Sequence, residues 1–355
     1  MGTIAMLSFR LGGTDGVSVV ANRWATILRS HGWDMVSVAG DGPVDRVVPG
    51  LGLDHLTPPS TDNLKRALED ADVVIVENLL TIPMNLPASL VAAEVLRGRP
   101  ALIHHHDPPW QRRRFQEITA LPVDDPEWRH VTINQLTEKQ FADRGLRATT
   151  IYNPFDSDET PSDGRAERAR IFSSLGSDSR NTILVSHPVR AIERKNVPEA
   201  LAICASIQLD LGRPVVYWLP GPAEDGYAPQ LVKLERTTPV PISRLAPTSM
   251  VELYGASDLV VFPSTWEGFG NVPVEASIHR KPVVVGRYPV ADELLRLGFR
   301  WLHNEDRARI STILRNPAAY DEDAAHNHAV VREFLSMKVV GDQVKTLFEE
   351  AGWRP

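Results

Sequence analysis

The chain alternates short β-type runs with segments whose apolar residues recur at helical spacing, and it does so twice. "TIAMLSF" is followed by Val20, Trp24, Ile27 and Leu28, a stop at Gly32, and then "DMVSVAG". This is the pattern of a β-α-β unit. "ADVVIVEN", "ALIHHHD" and "HVTIN" continue as strands, and Thr137 with Gln140 has capping-box spacing for the helix "EKQFADRG". Between 153 and 181 the composition shifts to Pro, Asp, Ser and Gly, as in a linker with room for one short helix. The pattern then restarts with "TILVSHPV", "VPEALAICASIQLDLG", "PVVYWLPG" and "VPISRL". It continues with a helix over 249–257 capped by Ser249 and Glu252, "LVVFPS", a helix over 273–280, "KPVVVG" and "VADELLRLG". Two doubly wound α/β domains in tandem are expected, at 1–155 and 156–335, with a terminal helix over 336–355 crossing back to the first. The 355 residues suit this division, because single cores stop growing at about 250–300 residues.

Composition narrows the function. Lys and Arg number 38 against 45 Asp and Glu, a net charge of −7, which argues against a protein that neutralises nucleic-acid phosphates. Cys204 is the single cysteine, so no disulfide forms within the chain, and its apolar-periodic surroundings read as a core thiol. The N-terminus lacks a basic region before a long apolar stretch, and no run approaches the roughly 18 apolar residues of a membrane span. A cytoplasmic location is expected.

The stretch "STWEGFGNVPVEA" places Glu267 and Glu275 around Gly268, Phe269, Gly270 and Asn271, in a turn after a strand and at the start of a helix. Glycines let backbone approach a ligand, the free N–H groups of a helix start attract phosphate, and carboxylates grip vicinal hydroxyls. Taken alone, the pair reads equally well as a solvated turn residue and a dipole-favoured helix residue.

The longer segment "SMVELYGASDLVVFPSTWEGFGNVPVEASIHRKPVVV" resembles the C-terminal signature of family 4 of the retaining glycosyltransferases, which have the GT-B fold: two Rossmann-like doubly wound domains facing a cleft. The resemblance implies that Glu267 holds donor-sugar hydroxyls, that Glu275 holds the nucleotide ribose, and that Gly268, Phe269, Gly270 and Asn271 line the donor. "HPVRAIERKN" resembles the family's diphosphate clamp, which falls on Arg190 and Lys195, with Arg194 between them expected to be solvated. "FRLGGTDGVS" resembles the loop beneath the donor phosphates and beside the acceptor. It brings Gly12, Gly13 and Arg10 into the site and leaves the role of Asp15 open.

In "IHHHDPPW" strand alternation puts His104 and His106 on one face and His105 on the other, which argues against a metal site of three consecutive histidines. His106 before Asp107 resembles the family's active-site histidine, His104 is placed with the acceptor, and His105 is expected to be packed or solvated. The pairs Asp70/Asp72, Asp156/Asp158 and Asp321/Asp323 do not follow a strand with glycines, so they read as helix surface, helix termini or linker. Neither metal nor cofactor is expected. Arg112, Arg113 and Arg114 form a charge run, solvated or directed at an anionic acceptor.

The resemblance implies a retaining, metal-independent hexosyltransferase that uses a UDP- or GDP-hexose, with His106, Glu267, Arg190 and Lys195 at the reaction. The acceptor is expected to be small, hydroxylated and anionic, bound by Arg10, Gly12, His104 and Arg112. A membrane surface is not expected, and assembly into a homo-oligomer stays open. A GT-B epimerase or phosphorylase, or a non-catalytic sugar-nucleotide sensor, would share these binding residues.

Overall fold

The computed structural model describes residues 2–13, 15–53, 57–176 and 180–355, and the chain divides into two compact units, Met1–Phe155 with Leu335–Pro355 and Asp156–Phe334. Thr14 of the N-terminal glycine loop lies outside the described residues.

The first unit is built on a seven-stranded sheet of β1 (Thr3–Arg10), β2 (Asp34–Asp41), β3 (Arg46–Val47), β4 (Val73–Glu77), β5 (Ala101–His105), β6 (Trp128–Thr132) and β7 (Thr149–Thr150). The strands are parallel and ordered β3-β2-β1-β4-β5-β6-β7. The central strands are covered on both faces, which is why they read as near-continuous apolar runs. β3 and β7, two residues each, leave no periodic signal, so "ALIHHHD" carries the fifth strand rather than the fourth. Chain order reverses between β1 and β4, the switch point at which α/β sheets open toward ligands beyond their carboxyl ends.

The helix Met337–Glu350 belongs to this unit. Ser336 caps it by accepting from the Val339 N–H at 3.3 Å, and Val340, Val344, Leu347 and Phe348 join Trp24, Ile27 and Leu28 of the helix Gly16–Ser30 in one core. Phe155 fastens its entry: the Phe155 N–H donates to Leu335 O at 2.8 Å and the Met337 N–H to Phe155 O at 2.9 Å.

The second unit has a five-stranded parallel sheet of β8 (Ile183–Ser186), β9 (Val215–Trp218), β10 (Ile242–Ser243), β11 (Leu259–Phe262) and β12 (Val283–Val285), ordered β10-β9-β8-β11-β12. Its switch point lies between β8 and β11. The segment read as linker holds the helix Arg165–Leu175, and this helix is anchored: Arg168 donates to Asp258 Oδ2 at 2.9 Å, Ala256 O at 3.0 Å and Thr182 O at 2.6 Å.

Several local expectations change. The helix Gln135–Ala142 is capped by Asn134, whose side chain accepts from the Thr137 N–H at 2.7 Å, so the Thr137/Gln140 spacing is coincidental. Ser249 does cap Met250–Ala256, accepting from the Glu252 N–H at 3.1 Å, while the Glu252 carboxylate accepts from Ser162 at 2.8 Å. The helix read over 273–280 spans Asn271–Ile278, which moves Glu275 from the first turn to the second. Asp323, read as helix surface or terminus, starts a helix but is buried against Arg300 at 3.3 Å and Arg309.

Candidate active site

The loops after β8 and β11 meet at the switch point of the second unit. Lys195 ends a short 3-10 turn, Glu193–Lys195, and the Thr265 N–H donates to Arg194 O at 2.9 Å, which clips the two loops together. On that frame Lys195 Nζ lies 2.5 Å from Glu267 Oε1, and Arg194 donates to the other carboxylate oxygen and, at 3.0 Å, to Trp266 O. Glu267 and Lys195 are buried, at 6% and 9% exposure. Burial alone would raise the Glu267 carboxyl, but the Lys195 and Arg194 charges outweigh it and hold it below the usual range. Burial pushes the Lys195 ammonium down to about 8, against the pull of Glu267. Two cations and one carboxylate therefore form a compact charged cluster.

Arg194, expected to be solvated, is part of this cluster, because the turn directs it at Glu267. Arg190 is not. It pairs with Glu224 at 2.6 Å and stays two-fifths exposed, so the two residues of the expected clamp have different partners here. His187, after β8, holds Tyr217 Oη through Nδ1 at 2.7 Å, and among the described residues its buried Nε2 has no hydrogen-bond partner.

Gly270 opens the helix Asn271–Ile278 at φ +96°, and a Cβ on it would stand 2.3 Å from the buried Tyr288 hydroxyl. Gly270→Ala is expected to cost roughly 1–3 kcal/mol through a left-handed backbone and this clash. A melting temperature equal to that of the parent chain would refute it. Glu275 accepts from Tyr254 Oη at 2.8 Å, which aims its carboxylate from the second turn.

In the first unit Gly12 sits at φ +76° after β1, and a Cβ there would come within 2.6 Å of the Pro43 ring. Gly13 follows. Asp15, whose role the sequence left open, caps the helix Gly16–Ser30 by accepting from the Ser18 N–H at 3.2 Å and hydroxyl at 2.9 Å, and Arg10 reaches it at 3.5 Å. Arg112 pairs with Asp107, while Arg113 and Arg114 are exposed.

The three histidines serve two separate networks. His105 is packed between Thr81 Oγ1, 2.7 Å from its Nδ1, and His130 Nδ1, 2.8 Å from its Nε2, and His130 reaches Asp124 at 3.0 Å. A carboxylate only accepts, so Asp124 fixes the direction of the chain: His130 donates to it, His105 donates to His130, and Thr81 donates to His105.

On the other face, His104 Nδ1 lies 3.0 Å and His106 Nε2 2.7 Å from Glu77 Oε2. His104, expected at the acceptor, is instead wholly buried against the Trp24 ring, with centroids 4.5 Å apart. Glu77 is the residue that sequence reasoning missed. A lone acid closing the apolar run "ADVVIV" was the available signal. Burial opposes its charge, but the two imidazoles outweigh that and hold the carboxyl at about 2. Burial also keeps His104 below its ordinary value, so it donates as a neutral ring. The donor set of Glu77, His104 and His106 has ligand atoms within 4.8 Å of one another and would also fit a cation.

Residues 168–317 match the family model of glycosyl transferases group 1. The mannosylglucosylglycerate synthase of Thermotoga maritima is 24% identical over 96% of this chain and 98% of its own length. The enzyme of the same name from Petrotoga mobilis is 24% identical over 83% and 85%. Among solved structures, HepE of Anabaena in complex with UDP-glucose superposes with a TM-score of 0.75 at 20% identity, covering 98% of this chain and 99% of that one. WaaG, a glycosyltransferase involved in lipopolysaccharide biosynthesis, gives a TM-score of 0.64 at 14% identity over 96% and 98%.

Proposed function

We propose that this chain, a family 4 glycosyltransferase of the GT-B fold, transfers a hexosyl group with retention from a nucleoside-diphosphate hexose to a small anionic acceptor. The observation that carries this reading is the Lys195–Glu267–Arg194 cluster at the switch point of the second unit. Its buried ammonium is a ready partner for a diphosphate, and its buried carboxylate is a ready acceptor of sugar hydroxyls.

In this reading the donor's diphosphate takes over Lys195 and draws Arg190 from Glu224, while Arg194 keeps Glu267 aimed at the sugar. Glu275, already oriented by Tyr254, accepts from the ribose. The bond between the anomeric carbon and the diphosphate oxygen breaks as the acceptor hydroxyl forms the new glycosidic bond, and the hydroxyl proton passes to the leaving diphosphate. Fixed cations stabilise the charge that grows on that leaving group. No metal is assigned to the step.

Two observations support an anionic acceptor. The relatives' name, mannosylglucosylglycerate synthase, denotes a glycoside of a sugar acid, and Arg10 stands half exposed beside the Gly12–Gly13 turn.

A thermal-shift screen of UDP- and GDP-hexoses, followed by assay of nucleoside-diphosphate release with matched neutral and anionic acceptors, tests the reading. A true donor at 100 times its dissociation constant adds about 2.7 kcal/mol to the folded state. Rising ionic strength is expected to raise KM for the anionic acceptor alone. Equal use of both acceptors would discard the anionic specificity, and release without transfer to any acceptor would discard the transferase reading.

A further inference from the structure

Glu77 ends β4, beside the switch point of the first unit, and no part of the chemistry above uses it. Its side chain is fully buried, and among the described residues the hydrogen-bond partners of its carboxylate are two imidazoles. His106 turns Nε2 toward Glu77 and is 5% exposed, and among the described residues its Nδ1 has no hydrogen-bond partner. The backbone around it is held as well: the N–H groups of His106 and Asp107 donate to Asn78 Oδ1 at 3.2 and 3.1 Å, from an Asn78 held at φ +60°. An ionised carboxylate accepts only, so the nitrogen facing it carries the proton, and the other nitrogen of a neutral ring offers a lone pair.

We infer that Glu77 is a positioning residue for sugar recognition: it fixes His106 as the Nε2–H tautomer, leaving Nδ1 to accept a hydrogen bond from a substrate hydroxyl. This deepens the transferase reading and rests on it for the ligand. His104, its ring centroid 4.4 Å from that of His106, donates to the same carboxylate and adds a second restraint on its orientation. The arrangement has the logic of any carboxylate–imidazole pair in which the acid sets the tautomer and a second group is contacted by the free nitrogen.

Nitrogen-15 NMR of histidine-labelled full-length protein tests this, with the His106 resonances assigned by their loss in His106→Gln. Wild-type His106 is expected in the Nε2–H tautomer near neutral pH. In Glu77→Gln the tautomers are expected to mix, because an amide can donate or accept, and kcat/KM is expected to fall roughly ten- to a hundredfold, the worth of one charge-assisted hydrogen bond. Glu77→Gln/His106→Gln is expected to be no slower than His106→Gln alone, since Glu77 acts through His106; a purely structural role would give additive losses.

An Nδ1–H tautomer in the wild type overturns the proposal even if Glu77→Gln does not fold. Additive losses in the double variant also overturn it. So does a stoichiometric metal ion whose chelation abolishes activity, because the three side chains would then be ligands rather than hydrogen-bond partners. A wild type that turns over no nucleotide-sugar refutes the transferase reading, while the tautomer still decides whether Glu77 holds His106.

Discussion

Glu267→Gln is expected to lower kcat/KM by about a hundredfold and to destabilise the chain as well, because one carboxylate performs two tasks. Toward a ligand, it supplies charge-assisted hydrogen bonds worth roughly 1.5–3 kcal/mol each, and two of them account for the rate loss. Toward the protein, it is the counter-ion of Lys195 and Arg194. An isosteric amide leaves a buried ammonium beside a guanidinium with no opposing charge. Breaking a buried pair by removing one partner costs roughly 3–5 kcal/mol, part of which is relieved when the lysine loses its proton. The stability loss is therefore expected to be larger at pH 6 than at pH 9. Initial-rate kinetics with a verified donor, together with melting curves at the two pH values, check this. Unchanged kinetics would remove Glu267 from the donor site, and an equal loss of stability at both pH values would show that the lysine is not the group left unpaired.

The second large effect concerns Lys195. Burial holds its ammonium at about 8, below the ordinary 10.5 that the unfolded chain retains. Below about pH 8 both states carry the proton. Between 8 and 10.5 the unfolded chain binds more protons than the folded one, so stability from this group rises with pH across that window. Binding follows the opposite course, because a neutral amine cannot serve as a counter-ion for a diphosphate. We expect kcat/KM to fall about tenfold per pH unit above roughly 8, and nucleoside-diphosphate affinity to fall with it. Lys195→Arg should abolish this basic limb, since guanidinium keeps its charge. Lys195→Ala should weaken the product nucleoside diphosphate by roughly tenfold or more at pH 7. Calorimetry showing product affinity intact in Lys195→Ala would refute the contact, and a basic limb that persists in Lys195→Arg would assign it to another group.

Much of this site was legible before folding was considered. The spacing of Glu267 and Glu275, the glycines between them and the strand "LVVFPS" ahead of them establish a carboxylate-bearing turn after a parallel strand. The run "HPVRAIERKN" likewise announces cations after β8. What it leaves undecided is which cation meets which acid. Arg194 reaches Glu267 across 73 positions of sequence, and Arg190 turns away to Glu224. Those choices depend on the direction of each side chain in a turn whose geometry is set by the neighbouring loop.

Glu77 marks the same boundary more sharply. In sequence it is a polar residue at the end of an apolar strand, and the two histidines that hold it lie 27 and 29 positions away. Pairing of β4 with β5 sets Glu77 opposite His104, and strand alternation carries His106 to the same face while His105 turns to Thr81 and His130. By itself the sequence determined the period of the strands and helices, the two sheets and the chemistry present at each strand end, because backbone geometry and apolar burial are local signals. Tertiary structure alone decided which charges neutralise one another and which partner each imidazole nitrogen meets, because such pairings depend on loops brought together by strand order and on the burial that makes an unpaired charge costly.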